Sequence, residues 1–341
     1  MASTEISKLV QSVVEPYLLS GERKYNRRQV ADRTGVPSTL SRRLWVSLGF
    51  PADPDDEAIE YTDADVQAVC AFTKLNVLAR ADVPRQTAAA RQLGQSMARL
   101  AEWQVDLVTE EILDRIAAIT EADPAADPQE AARAATEEVV SELEQLLSYA
   151  WRRQLASSLA RSLDGGAVAG DQVRQLAVGF ADMVSYTRLT RHLDPEELSA
   201  LLESFETVTS NAITAGGGWV IKNVGDEVMY AAGSAEQGAR ISLAIQEAAE
   251  ASPGITTQLR IGLAYGPVLQ RFGDLYGDVV NVAARLTGVA RPGTVLIDDG
   301  AAARLDGDPE FTLRHLRSVR VRGISRLRGH VLRRNEIRPL I

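Results

Sequence analysis

The first half of the chain places apolar positions at helical spacing, broken at a few sharp points. KYNRRQVADRTGVPSTLSRRLWVSLGF (24–50) carries short apolar stripes on either side of Gly35, which predicts two small helices joined by a tight turn. Thr62 followed by Asp65 predicts a capping-box start for a helix through Val66, Val69 and Phe72. From about 83 to 163 Ala, Leu, Glu and Arg dominate, and ADPAADP at 122–128 breaks the stretch into two helices, the second from about Pro128 to Ser162. A helix of that length and composition suits a helix–helix or subunit interface, and equally a solvated connector. The small-residue stretch LDGGAVAG (163–170) marks the expected boundary between a helical domain over 1–165 and a second domain over 172–341.

Beyond 171 the periodicity changes to short strands alternating with helices. RQLAVGFA reads as a buried strand. Asp194, Pro195 and Glu197 supply an N-cap, a first-turn proline and an N3 carboxylate for a helix to about Ile213. GGGWVIKNVGDEVMYAA predicts a hairpin turning near Asn223–Asp226, and Ser234 with Gln237 caps a helix to about Ala251. TQLRIGLAYGPVLQRFG predicts a second hairpin, turning at Tyr265–Pro267, before a helix from about Asp278 to Val289 and short closing strands. This split βαβ order fits a ferredoxin-like α+β sandwich with helices on one face, preceded by an all-α domain.

Composition narrows the class. At 341 residues the chain exceeds one ordinary domain. A net charge of −9 argues against a nucleic-acid surface spread over the whole molecule. That charge is uneven, with 18 basic and 26 acidic residues in 1–170 against 19 and 20 in the remainder. The single cysteine, Cys70, excludes an internal disulfide and a thiolate zinc cluster, and is expected as a buried inert thiol. His192, His315 and His330 show no ligand spacing. No run approaches the roughly 20 apolar residues of a membrane span, and MASTEISKLV lacks a secretory layout, so the expectation is a soluble cytoplasmic protein.

Three cassettes carry the candidate chemistry: VGFADMVSYTRL, WVIKNVGDEVMY and FGDLYGDVVNVAARL. Asp182 follows an apolar strand and Asp226 follows Gly225 in a hairpin turn, positions where a rigid sheet presents oxygen ligands. Magnesium needs only one or two protein carboxylates, because phosphates and water complete its shell. Taken singly, Asp182 reads first as an N-cap and Asp226 as a turn former, and only the combination with the other positions reverses that. Lys222 alone would be a solvated strand lysine, and Asp274 a plain turn residue. Asn281 and Arg285, four apart, share one helix face that is either the solvent side or the wall of a cleft.

Together these cassettes resemble the class III nucleotidyl cyclases, over about residues 172–336. The resemblance implies a cyclase catalytic domain that pairs head to tail in a homodimer, each active site drawing on both partners. It implies that Asp182 and Asp226 ligate two Mg2+ or Mn2+ ions, that Lys222 and Asp274 read the purine, that Asn281 orients the ribose and that Arg285 stabilises charge at the α-phosphate. A lysine donor and an aspartate acceptor match adenine N1 and N6, whereas guanylate-forming relatives carry a Glu and a Cys- or Ser-like residue. ATP is therefore the expected substrate and cyclic AMP the product. Arg322, in VRGI, occupies the place where family members bring a basic residue to the terminal phosphates, within a stretch holding eight arginines from Arg314 to Arg334. A solvated basic strand pair explains the other seven as well.

The segment 24–75 resembles the helix-turn-helix start of MerR-like DNA-binding domains, and residues 21–50 hold seven basic and two acidic side chains. The whole helical domain also resembles the autoinhibitory regulatory domain of actinobacterial cyclases. Intramolecular regulation is expected of this domain over DNA binding. The alternatives are a nucleotide-sensing DNA-binding regulator with a non-catalytic cyclase fold, or a guanylate cyclase.

Overall fold

The computed structural model describes residues 12–164, 173–255, 257–316, 319–321 and 324–335, which fall into two units, 1–158 and 159–341. The segment 165–172, where the domain boundary is expected, and Arg322 lie outside the described residues.

In the first unit, Asn26 caps α1 (Arg27–Thr34), Gly35 ends it at φ 69°, and α2 (Ser38–Leu48) follows. Thr62 and Asp65 form the expected capping box on α3 (Asp63–Lys74). A short α4 (Asn76–Ala79) leads to α5 (Val83–Ala122), and α6 (Pro128–Asp164) begins after the break at 122–128. Small and β-branched side chains let α5 and α6 approach closely, burying Ile112 against Ala135 and Val139. Arg115 on α5 bonds Glu111 on its own helix and Glu138 and Glu142 on α6. Residues 149–160 of α6 are exposed on every face, Trp151, Leu155 and Leu159 among them. Cys70 is half-buried rather than buried, because α3 has no fully buried position.

Four of the seven basic residues in 21–50 are already paired: Arg23 with Glu15, Lys24 with Asp63, Arg27 with Asp56 and Arg28 with Glu57. Arg33 lies over the Tyr25 ring, 4.4 Å from its centroid. Much of the local positive charge counted in the sequence is thus paired within the unit, with Glu15, with Asp56 and Glu57 of the loop before α3, and with Asp63 at the start of α3.

The second unit is built on an eight-stranded sheet, among the described residues. Its strands are β1 (Val173–Met183), β2 (Trp219–Val224), β3 (Glu227–Ala232), β4 (Leu259–Arg271), β5 (Asp274–Tyr276), β6 (Thr294–Ile297), β7 (Phe311–His315) and β10 (His330–Arg334). The order is β2-β3-β1-β4-β6-β10-β7, with β5 added to β4, and β8 (Val319–Val321) pairs separately with β9 (Ile324–Leu327). A short α7 (Tyr186–Leu189) follows β1. Helices α8 (Pro195–Ala215), α9 (Ala235–Ala251) and α11 (Asp299–Leu305) cover one face, where Phe205, Ile213, Ile241 and Ile245 meet Ala177, Tyr230 and Leu263.

The structure corrects two details of the expected sandwich. Helix α10 (Asp278–Val289) packs on the opposite face, where Val279 and Ala283 meet Val178, Phe180, Met229 and Ala264. Gly262 permits this, since a Cβ there would lie 2.3 Å from Thr287 N and 2.4 Å from Ala283 O. Secondly, no turn occurs at Tyr265–Pro267; β4 runs unbroken past Pro267 and turns at Phe272–Gly273. On the edge of β4 facing away from β1, partners run only up to Leu263 and again from Leu269, so the missing N–H of Pro267 leaves the ladder intact.

Candidate active site

Strand β1 is central and buried on both faces, and its last turn of alternation aims Asp182 to the α10 side along with Val178 and Phe180. Asp182 is buried, its side chain 9% exposed. The β2–β3 hairpin then brings Asp226 to the same end. Gly225 takes φ 61° at the first central position of a two-residue turn, a conformation glycine adopts without strain. Met183 N–H donates to the Asp226 carbonyl at 3.0 Å, tying the turn to the end of β1.

The two carboxylates interact. Burial raises the pKa of Asp226, and the charge of Asp182 beside it adds to the shift. Arg260 supplies the compensating charge, its Nε donating to Asp182 Oδ2. These three positions were not all visible in the sequence. Arg260 faces Asp182 in the β1–β4 register, and Glu227 faces it in the β1–β3 register. Burial raises the pKa of Glu227 too, reinforced by Asp182 and Asp226 and opposed by Arg260 and Lys222. The only sequence signal for Glu227 is its place next to Asp226; Arg260 has none.

Lys222 owes its aim to a register shift. A bulge between Val220 and Lys222 sets Lys222 opposite Met229, on the α10 side, where strict alternation would turn it away. From there Lys222 Nζ donates to Asp274 Oδ2 at 2.7 Å, with Asp274 held at the start of β5 by its own turn. Asn281 is exposed on α10 and Arg285 half-buried one turn later; Arg285 has no hydrogen-bond or ion-pair partner among the described residues. The structure thus brings Asp182 to Asp226, and Lys222 to Asp274, as two separate pairs on one side of the sheet. Arg322 lies outside the described residues.

Hard oxygen donors without His or Cys suit Mg2+ or Mn2+, and two carboxylates held side by side against their own repulsion suit a divalent cation between them. Among the described residues no group of three or more His, Cys, Asp or Glu side chains closes on one point as a complete protein cage would.

Comparison with known proteins settles the family. The profile of the Adenylate and Guanylate cyclase catalytic domain matches residues 168–334. A Streptomyces coelicolor protein named adenylate cyclase is 38% identical over 292 residues, 86% of this chain and 74% of its own length. The chain belongs to the class III adenylate and guanylate cyclases. Adenylate cyclases of Glutamicibacter nicotianae and Streptomyces griseus agree, at 34% identity over 342 residues and 35% over 292. The first covers 95% of this chain and 82% of its own length, the second 86% and 71%. The matched range contains Asp182, Lys222, Asp226, Asp274, Asn281 and Arg285. No helix among the described residues is long and apolar enough to cross a membrane.

Proposed function

We propose that the chain is an adenylate cyclase, converting ATP to 3′,5′-cyclic AMP and pyrophosphate in a homodimer. The observation that carries the choice of ATP is the Lys222–Asp274 pair at 2.7 Å, a donor and an acceptor held together in the pattern adenine N1 and N6 require. The names of the relatives point the same way.

Asp182 and Asp226 would hold two Mg2+ or Mn2+ ions, which supply charge neutralisation at the phosphates and lower the pKa of the attacking hydroxyl. The residues do the rest. Lys222 and Asp274 fix the purine, so that the ribose presents its 3′-oxygen to the α-phosphorus. Asn281 orients that ribose by hydrogen bonding. As the O3′–P bond forms and the bond to the pyrophosphate oxygen breaks, the 3′ proton leaves to solvent and charge grows on the α-phosphate oxygens. Arg285, without an ion partner among the described residues, would meet that charge; Arg322 would serve the terminal phosphates. Asp182 and Asp226 from one protomer would face Lys222, Asp274, Asn281 and Arg285 from its partner, giving two sites per dimer.

The helical N-terminal region is read as the regulator of this dimer. Its paired basic residues favour that role over contact with nucleic acid. Purified protein with Mn2+ should form cyclic AMP from ATP and much less cyclic GMP from GTP. A preference for GTP in the same assay removes the adenylate assignment, and turnover of neither removes the catalytic one.

A further inference from the structure

One acidic side chain at this end of the sheet has no assigned part. Glu227 follows Asp226 and stands directly opposite Asp182 across the β1–β3 ladder, while Arg260 stands opposite Asp182 on the other flank. Directly opposed residues of antiparallel strands point to the same face. Met229 and Ala231, in step with Glu227 along β3, and Phe180 and Val178, in step with Asp182 along β1, all pack on the α10 side. Glu227, Asp182 and Arg260 therefore form a row across three strands on that face.

Glu227 is half-buried, and its carboxylate has no hydrogen-bond or ion-pair partner among the described residues. A carboxylate in that setting, beside two others, loses hydration without gaining a donor. The cluster's charge gives the reason to keep it. Asp182 and Asp226 with Arg260 sum to a single negative charge, less than one divalent cation requires. Glu227 brings the cluster of Asp182, Asp226, Arg260 and Glu227 to two.

We propose that Glu227 is a positioning residue of the cation site, raising its affinity for a divalent metal by its charge from beside Asp182 and not as a third ligand. The absence of a three-carboxylate cage among the described residues is why it is placed outside the ligand set. This inference rests on the reading that Asp182 and Asp226 bind divalent cations.

The test is a Mn2+ titration of the full-length chain without nucleotide, followed by the electron paramagnetic resonance signal of free Mn2+. Loss of a group beside metal ligands weakens affinity by about 10- to 100-fold, so Glu227→Gln should bind Mn2+ at least about tenfold more weakly. Glu227→Asp, which keeps the charge, should recover most of the loss. Thermal melting in EDTA separates charge from architecture: Glu227→Gln should melt at or above the wild-type temperature, whereas a residue needed only for packing would melt lower. An unchanged Mn2+ isotherm for Glu227→Gln, with Asp226→Asn strongly weakened, overturns the role of Glu227 alone. Wild-type Mn2+ binding in Asp226→Asn overturns the metal assignment and this inference with it.

Discussion

Lys222 Nζ and Asp274 Oδ2 meet at 2.7 Å although 52 positions separate them in the chain. Both are partly exposed, so the ion pair itself adds little to stability. Its value lies in holding a donor and an acceptor at a fixed spacing. Lys222→Ala should lower kcat/KM for ATP by about 10- to 100-fold, the worth of one charge-assisted hydrogen bond of about 1.5–3 kcal/mol. Replacing the pair by Glu and Cys should shift preference toward GTP, measured as the ratio of the two kcat/KM values.

Asp226→Ala should abolish cyclic AMP formation while leaving the fold in place. The side chain sits in a hairpin turn, and the backbone bond from Met183 N–H survives the substitution. Full activity with unchanged circular dichroism would remove Asp226 from the site.

The acidic pair predicts a pH-dependent stability of the metal-free chain. Burial and the Asp182 charge raise the Asp226 pKa above its unfolded value, so its contribution is favourable in acid and lost as pH rises through the folded pKa. Asp226→Asn in EDTA should therefore melt higher than wild type at pH 7.5, and the gap should close as pH falls toward about 4. Mn2+ should raise the wild-type melting temperature at pH 7.5 and that of the variant far less.

Gly262→Ala should damage the site from a distance. The added methyl would meet backbone atoms of α10, which cannot move singly. Overpacking of this kind costs about 1–3 kcal/mol. The helix it displaces carries Asn281 and Arg285, so kcat should fall together with the melting temperature. A drop in stability with unchanged kcat would show that the position of α10 does not matter to turnover.

If the helical region restrains the dimer, a chain starting at Val173 should be more active than the full chain at matched dimer concentration. Equal or lower activity would count against inhibition.

The helix starts were legible because their causes are local. Thr62 bonds the N–H of Asp65, Asp194 that of Glu197 and Ser234 that of Gln237, each three residues away. The cassettes around Asp182, Asp226 and Asp274 were legible for a similar reason, since each stands at a strand end or turn whose residues are adjacent in the chain. Pro267 misled because a proline signals a turn until the neighbouring strand edge is known to lack a partner.

Long-range pairing set the rest. Arg260 reaches Asp182 over 78 positions, and Glu227 becomes its neighbour only through the β1–β3 register. The bulge that aims Lys222 depends on how β2 pairs with β3, and the side chosen by α10 depends on the missing Cβ at Gly262. A chain read in order carries its caps, turns and apolar periods within a few residues. Which strands lie side by side is fixed by packing among distant segments, and here that packing decides which charges share one end of the sheet.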